Sequence, residues 1–170
     1  MTHMRRVCFL GVAASALEKQ QIKDEIAPGT EVWVVNEAHR HLAVGVAPSR
    51  VFQLHVRDWR ESERRYLHRG RLPPGTDHNC FGRNRAHVEY LRTCGVPVYC
   101  QRAWPDIPTC QVYPFERVRQ AVGVRLPPSG NARLWATSSF GYMAALLLTE
   151  HLAGEQVGAL QLLAIDLPLG

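Results

Sequence analysis

Short apolar runs, each stopped by a polar or turn-forming residue, recur along the chain. Val7 to Val12 is the first, and the small residues after it lead into Leu17-Glu18-Lys19, which reads as buried strand, tight turn and helical turn. Pro28-Gly29 precedes a second run, Glu31 to Val35, that stops at Asn36; a third, Arg50 to Val56, stops at Arg57-Asp58-Trp59. These runs are apolar on both faces, as parallel strands covered by helices are. Arg85 to Arg92 has helical character, Val96 to Cys100 gives a fourth strand, Phe115 to Ala121 a short helix, and Leu160 to Ile165 a fifth strand ending at Asp166. The strongest helical segment opens on the N-cap residues Ser138 and Ser139, and Phe140, Met143, Leu146, Leu147 and Leu152 then share, or nearly share, one face. Apolar nearly all round, it belongs against the sheet. Arg102 to Pro114, broken by Trp104-Pro105 and Ile107-Pro108, reads as loop. The alternation predicts an α/β fold, a Rossmann-like three-layer open sheet of about five mostly parallel strands with helices on both faces.

Composition narrows the class without changing this picture. At 170 residues, 46% hydrophobic and 21% charged, the chain fits one domain, 1–170, able to fold without disulfide or metal staples, and it is not a disordered tail. The five cysteines, at 8, 80, 94, 100 and 110, contain no CxxC pair. They predict neither a disulfide scaffold nor a zinc ribbon, and imply a reducing, cytoplasmic setting. No stretch approaches the ~18 apolar residues of a membrane-spanning helix. The start, MTHMRRVCFLGVAAS, superficially resembles a signal peptide, but its apolar part is short and runs into charged residues, so it reads as the first strand.

Charge adds a direction. Twenty basic residues against fifteen acidic give +5, and all but Lys19 and Lys23 of the basic set are arginine, whose planar fork suits phosphate and carboxylate. Codon bias in a GC-rich genome would give the same excess. The densest stretch, 57 to 71, holds six arginines with Asp58, Glu61 and Glu63 interleaved, and a turn-rich stretch with Pro73-Pro74-Gly75 follows. Residues from about 57 to 92 therefore read as an Arg-rich helix and loop insertion. It could contact nucleic acid, but the interleaved acids favour a self-paired, solvated helix.

In an open parallel sheet, ligands bind beyond the carboxyl ends of the strands, near the reversal in strand order. The predicted edge collects Gly11 to Ser15, including Ala14, then Asn36, His55 with Arg57 and Asp58, Gln101 with Arg102, and Asp166. Ser138 and Ser139, opening the long helix, add hydroxyls and free N–H groups suited to an anion. Each has a structural alternative: Asn36 as a turn residue, His55 as a satisfied core histidine, the serines as caps. The loop after strand one also lacks the glycines and lysine of the GxGxxG and Walker patterns. Convergence on one edge makes it the candidate site. Neither His39, His41 and His55 nor His78, Cys80 and His87 has a standard zinc spacing, so no metal is predicted. GxSxG, HExxH and the zinc-deaminase pattern are absent from the sequence.

The order of motifs resembles a known group. The pieces FLGVAASALE (9–18), VWVVNEAH (32–39), RVFQLHVRDW (50–59), VPVYCQ (96–101), ATSSFGYMAALLL (136–148) and LLAIDLPL (162–169) together are similar to a Rossmann-like group of phage and bacterial proteins. That group is itself similar to bacterial lipooligosaccharide sialyltransferases and pterin pyrophosphokinase-like proteins. The resemblance implies that Gly11 to Ser15 hold nucleotide phosphates, that Asn36 contacts a nucleotide sugar, and that Ser138 and Ser139 grip its carboxylate or phosphate. It places His55 near a further polar contact. The group's Gly-Pro is Ala13-Ala14 here, its glycine before Ile165 is Ala164, and its phosphate-binding tyrosines and histidine base lie after the Ile-Asp strand, where this chain has Pro168, Leu169 and Gly170.

These readings predict a nucleotide-binding protein, first as a sialyltransferase-like, nucleotide-sugar-dependent glycosyltransferase or a degenerate relative. His55 would serve as the base, with Arg57 or Arg102 steadying the leaving phosphate. No cofactor is firmly implied; the nucleotide sugar would be substrate. The alternative is a non-catalytic phage or bacterial accessory protein that keeps the fold, and the last strand, if it forms a sheet edge, suits pairing into a homodimer.

Overall fold

The computed structural model describes residues 4–11, 19–42, 44–55, 57, 81–122 and 139–163. Its elements follow in the order β1 (Arg5–Leu10), α1 (Lys19–Glu25), β2 (Glu31–Val35), β3 (Arg50–Gln53), α2 (Arg85–Thr93), β4 (Val98–Cys100), β5 (Cys110–Val112), α3 (Phe115–Val122), α4 (Ser139–Leu152) and β6 (Val157–Leu163). Short 3-10 turns lie at Ala38–His41 and Phe81–Arg83. The strands form one sheet in the order β5-β4-β3-β2-β1-β6, with every pairing parallel. This is the expected α/β, Rossmann-like architecture, with six strands where about five were expected.

The added strand is β5, inside the segment read as loop. It has three residues, lies on the sheet's outer edge with Gln111 and Val112 exposed, and is bracketed by Pro108 and Pro114, so it offers no alternation to read. Boundaries also move. β1 starts at Arg5, because Arg5 N–H donates to the Gln156 carbonyl at 2.9 Å and its side chain belongs to a charged network. β3 ends at Gln53, short of the expected Val56, and β4 begins at Val98. The last strand begins at Val157, three residues before the expected start; Ala164, Ile165 and Asp166 lie outside the described residues. Leu152, expected on the buried face of the long helix, is its exposed last residue.

One face of the sheet is held by an aromatic ladder. Phe9, Trp33, Phe52 and Tyr99, one from each of β1 to β4, stack in succession with ring centroids 5.4, 5.4 and 4.9 Å apart. Such pairs add about 0.5–1.5 kcal/mol each beyond the area they bury. α4 closes this side: the Tyr113 hydroxyl donates to the Tyr142 carbonyl at 2.7 Å, and Met143, Leu146 and Leu147 are buried with Val118 of α3. Strand alternation sends Val32, Val34, Val51 and Gln53 to the opposite face, where α1 and α2 bury Ile22, Val88 and Leu91.

The amino edge of the sheet is closed by charge. Arg5 forks onto Glu31 at 2.6 and 2.9 Å and reaches Glu150 of α4 at 3.0 Å; Arg50 takes the other Glu150 oxygen, and its guanidinium lies 4.4 Å over the Trp33 ring. The Trp33 indole N–H also donates to Glu31. The Arg5 fork holds the Glu31 carboxyl below its usual range. No helix among the described residues is long and apolar enough to cross a membrane.

Glu150, buried and shared by two arginines, should be the costliest member to remove. Glu150→Ala is expected to lower the urea-unfolding free energy by about 3 kcal/mol, because it leaves the largely buried Arg50 guanidinium without its carboxylate, while Arg5 keeps Glu31 and Glu155. Glu116→Ala, which breaks only an exposed pair with Arg119 on α3, should cost less than about 1 kcal/mol. Equal losses would show that the amino-edge network contributes no more than a surface pair.

Candidate functional site

Asn36 ends β2 in the left-handed region, φ 50°, where asparagine is among the few residues that sit without severe strain. Its backbone N–H donates to the Phe52 carbonyl at 2.9 Å, tying the turn to β3. Its side-chain nitrogen lies 3.0 Å from Nε2 of His55, two residues past the end of β3. An amide nitrogen only donates, so Nε2 is the acceptor and, in neutral His55, the proton sits on Nδ1. Burial lowers the His55 pKa, which favours that neutral form. The Asn36 carbonyl oxygen, Oδ1, is buried and has no hydrogen-bond partner among the described residues. A buried acceptor left unmatched costs about 1–3 kcal/mol, so a donor brought to this atom would be favoured.

Beside this pair runs a second polar chain. The Gln53 side-chain oxygen lies 2.7 Å from His87 Nε2, and His87 Nδ1 lies 3.2 Å from His39 Nε2. The amide oxygen only accepts, so His87 carries its proton on Nε2, its Nδ1 accepts, and His39 donates from Nε2. Burial first, then the neighbouring imidazole and Arg40, lower the His39 pKa to about 3; burial lowers that of His87 to about 4. Asn84 caps α2 by accepting from the His87 N–H at 3.1 Å and donates its own amide to Glu37 at 2.6 Å. The turn after β2 is thus held to the start of α2.

A third group stands at the exits of β3 and β4. Arg57 places its two terminal nitrogens on Asp106 at 2.5 and 2.6 Å, and Arg92 reaches the same carboxylate at 2.6 Å. Arg57, then Arg92, hold the Asp106 carboxyl far below its usual range. The guanidinium groups of Arg57 and Arg102 lie 5.0 and 4.1 Å from the Trp104 ring. Gly82 is required here, since a Cβ there would collide with the Arg57 carbonyl that accepts the Gly82 N–H.

Of the residues expected from sequence, Asn36 and His55 are brought into contact, and Arg57 and Arg102 meet on one indole. Gly11 is buried at the end of β1, its N–H on the Leu163 carbonyl at 3.0 Å. Ser139 is the first residue of α4, half-buried. Ala14, Ser15, Ser138, Asp58 and Asp166 lie outside the described residues, as does most of the Arg-rich insertion. Gln53, Glu37, Asn84, Trp104 and Asp106 were not anticipated, and His87 only as a member of an unsupported metal cluster. Two signals could have found part of this: a lone glutamine within an apolar strand asks for a buried partner, and Asn84 three residues before His87 has the spacing of an N-cap. Among the described residues no group of three or more His, Cys, Asp or Glu is placed to hold a metal ion.

The backbone of Asn36 can be tested apart from its amide. Asn36→Gly and Asn36→Ala both lose the contact to His55, but only alanine keeps a strained positive φ, so Asn36→Ala is expected to be less stable by about 1 kcal/mol in urea unfolding. Equal stability, or a more stable alanine variant, would show that the turn relaxes freely.

Comparison with protein-family models, with curated proteins and with solved structures finds no match to this chain.

Proposed function

We propose that the carboxyl edge of the sheet binds a nucleotide, and that the protein acts as a nucleotide-sugar-dependent transferase, in keeping with its resemblance to sialyltransferase-like Rossmann proteins. The observation that carries this reading is the Asn36 amide: a buried oxygen without a donor among the described residues, at the carboxyl end of a central parallel strand, held next to a neutral histidine. The oxygen offers an acceptor and His55 Nδ1–H a donor, a pairing suited to the amino, amide or hydroxyl groups of a nucleoside. Gly11 offers no free donor, its N–H being on the Leu163 carbonyl, and Ser139 would add a hydroxyl.

In the transferase reading, a base takes the acceptor hydroxyl's proton as the nucleotide phosphate leaves. His55 would act through Nε2, which requires a ligand to draw the Asn36 amide away from it. Arg57 would reach the phosphate only by exchanging Asp106 for it; Arg102, exposed just past the end of β4, lies over the same Trp104 ring. The occupied Nε2 favours a second reading, a binding protein of the same fold that performs no transfer.

A thermal-shift series with CMP, UDP, GDP and ADP at millimolar concentration tests the shared part. A ligand at ten times its Kd adds about 1.4 kcal/mol and should raise Tm by roughly 3 °C, and Asn36→Gly should erase the rise. No shift with any of the four would overturn nucleotide binding. If a nucleotide sugar binds, release of free nucleotide that is lost in His55→Gln supports the transferase; binding without release supports the second reading.

A further inference from the structure

The imidazole pair of His39 and His87 is built unlike a surface histidine contact. His87 is fully enclosed, donates to Gln53, and receives His39, whose ring also packs on Tyr90 of α2 with centroids 3.6 Å apart. These contacts, with Glu37 on Asn84, fasten the 3-10 turn Ala38–His41 and its buried Ala38 to α2. We propose that the His39–His87 pair is an acid-sensitive latch: closed at neutral pH it clamps the turn after β2 onto α2, and proton uptake by both imidazoles releases that turn. The proposal is independent of what the edge binds.

The hydrogen-bond chain explains why two protons cannot be held. A first proton on His87 is accommodated if His39 reverses its tautomer and accepts from His87 Nδ1. A second sets N–H against N–H across a 3.2 Å contact, between two like charges. The groups acting on the pair decide the balance. From the turn, Arg40 opposes a charge on either ring and His41 opposes one on His39, while Glu37 favours a charge on His87. From α2 the neighbour of His39 is the neutral Tyr90 phenol, whose own pKa burial pushes up to about 12, and from β3 the neighbour of His87 is the uncharged Gln53. The carboxylate is outnumbered, and among the described residues no second acid stands on the pair to hold a second proton.

The sign follows from linkage. Both folded pKa values lie below the ordinary histidine value of about 6.5, so the open state takes up the protons, and the latch is fully stabilising above that value and lost as pH falls below it. Between pH 7.5 and pH 5 the opening equilibrium should rise at least about 20-fold for one imidazole and several-hundred-fold for both.

Amide hydrogen exchange on the intact chain tests this, read as protection factors for Arg40 and Leu42, whose N–H groups donate to the Glu37 and His39 carbonyls. Protection there should fall by these factors between pH 7.5 and pH 5, while Phe52 in β3 and Val118 in α3 keep theirs. His39→Gln, which retains a donor at the same position, should reduce the pH response to that of one imidazole, and His39→Gln with His87→Gln should abolish it. Unchanged wild-type protection at pH 5, loss spread evenly over all four sites, or an undiminished response in His39→Gln would overturn the latch. Nitrogen NMR of the imidazoles needs no variant: His87 protonated on Nε2 at pH 7.5 supports the chain, and protonation on Nδ1 overturns it.

Discussion

The parallel pairing of β1, β2 and β3 is the constraint from which both ends of the molecule follow. Parallel strands all start at one edge and all stop at the other, so residues with no helix partner accumulate at two places. At the amino edge these are Arg5, Glu31 and Arg50, one from each strand, and they can be enclosed because α4 brings Glu150 to the same point. At the carboxyl edge they are Gly11, Asn36 and, just beyond Gln53, His55. The aromatic ladder between the edges fixes the register of four strands at once, since Phe9, Trp33, Phe52 and Tyr99 stack only if the strands neither slip nor reverse.

The two edges solve the same problem in opposite ways. At the amino edge Arg5 and Arg50 are held among the carboxylates of Glu31, Glu150 and Glu155, and the cationic face of Arg50 over Trp33 ties the ion network to the ladder. Such a network is a closed structure with little to offer a ligand. At the carboxyl edge hydrogen bonds are directional and unfinished. The Gln53–His87–His39 chain runs in one direction because an amide oxygen anchors it, and the Asn36–His55 pair leaves an acceptor over. A neutral, tautomer-defined network of this kind tolerates exchange of one partner for another, whereas removing one member of a buried ion group leaves an uncompensated charge.

Much of the fold could be read from the chain because its central strands are uninterrupted apolar runs. β2 was legible to the residue, since EVWVV begins after Pro28-Gly29 and ends at Asn36, and both punctuations are local. β5 was not, because a three-residue edge strand gains its identity from pairing with β4 and carries no pattern of its own. The site shows the same division. Asn36 and His55 were found because each follows a legible strand. His87 and Gln53 were missed as a pair because thirty-four positions separate them and neither looks unusual until β3 and α2 meet. Arg57 shows how far residue type alone reaches: a guanidinium at a strand end suits phosphate, but Asp106, in the segment read as loop, already holds it.

The strand order adds a geometrical step. The order reverses between β1 and β6, where the chain, after stepping outward from β1 to β5, returns to β1's other side. In open parallel sheets the crevice for ligands opens at such a reversal, and here it is marked by the Gly11 N–H on the Leu163 carbonyl. Asn36 and His55 lie one and two strands away from β1. At about 4.8 Å between neighbouring strands, the distance from β1 to β3 is about 10 Å, comparable to the length of a nucleoside. With the Gly11 N–H already on the Leu163 carbonyl, the proposed nucleotide would turn its phosphate end toward the guanidinium groups of Arg57 and Arg102, past β3 and β4, and keep its base end over the Asn36 amide. The opposite orientation would bring the anion to the end of β1, where the Gly11 N–H already has its acceptor, and take it away from both guanidinium groups.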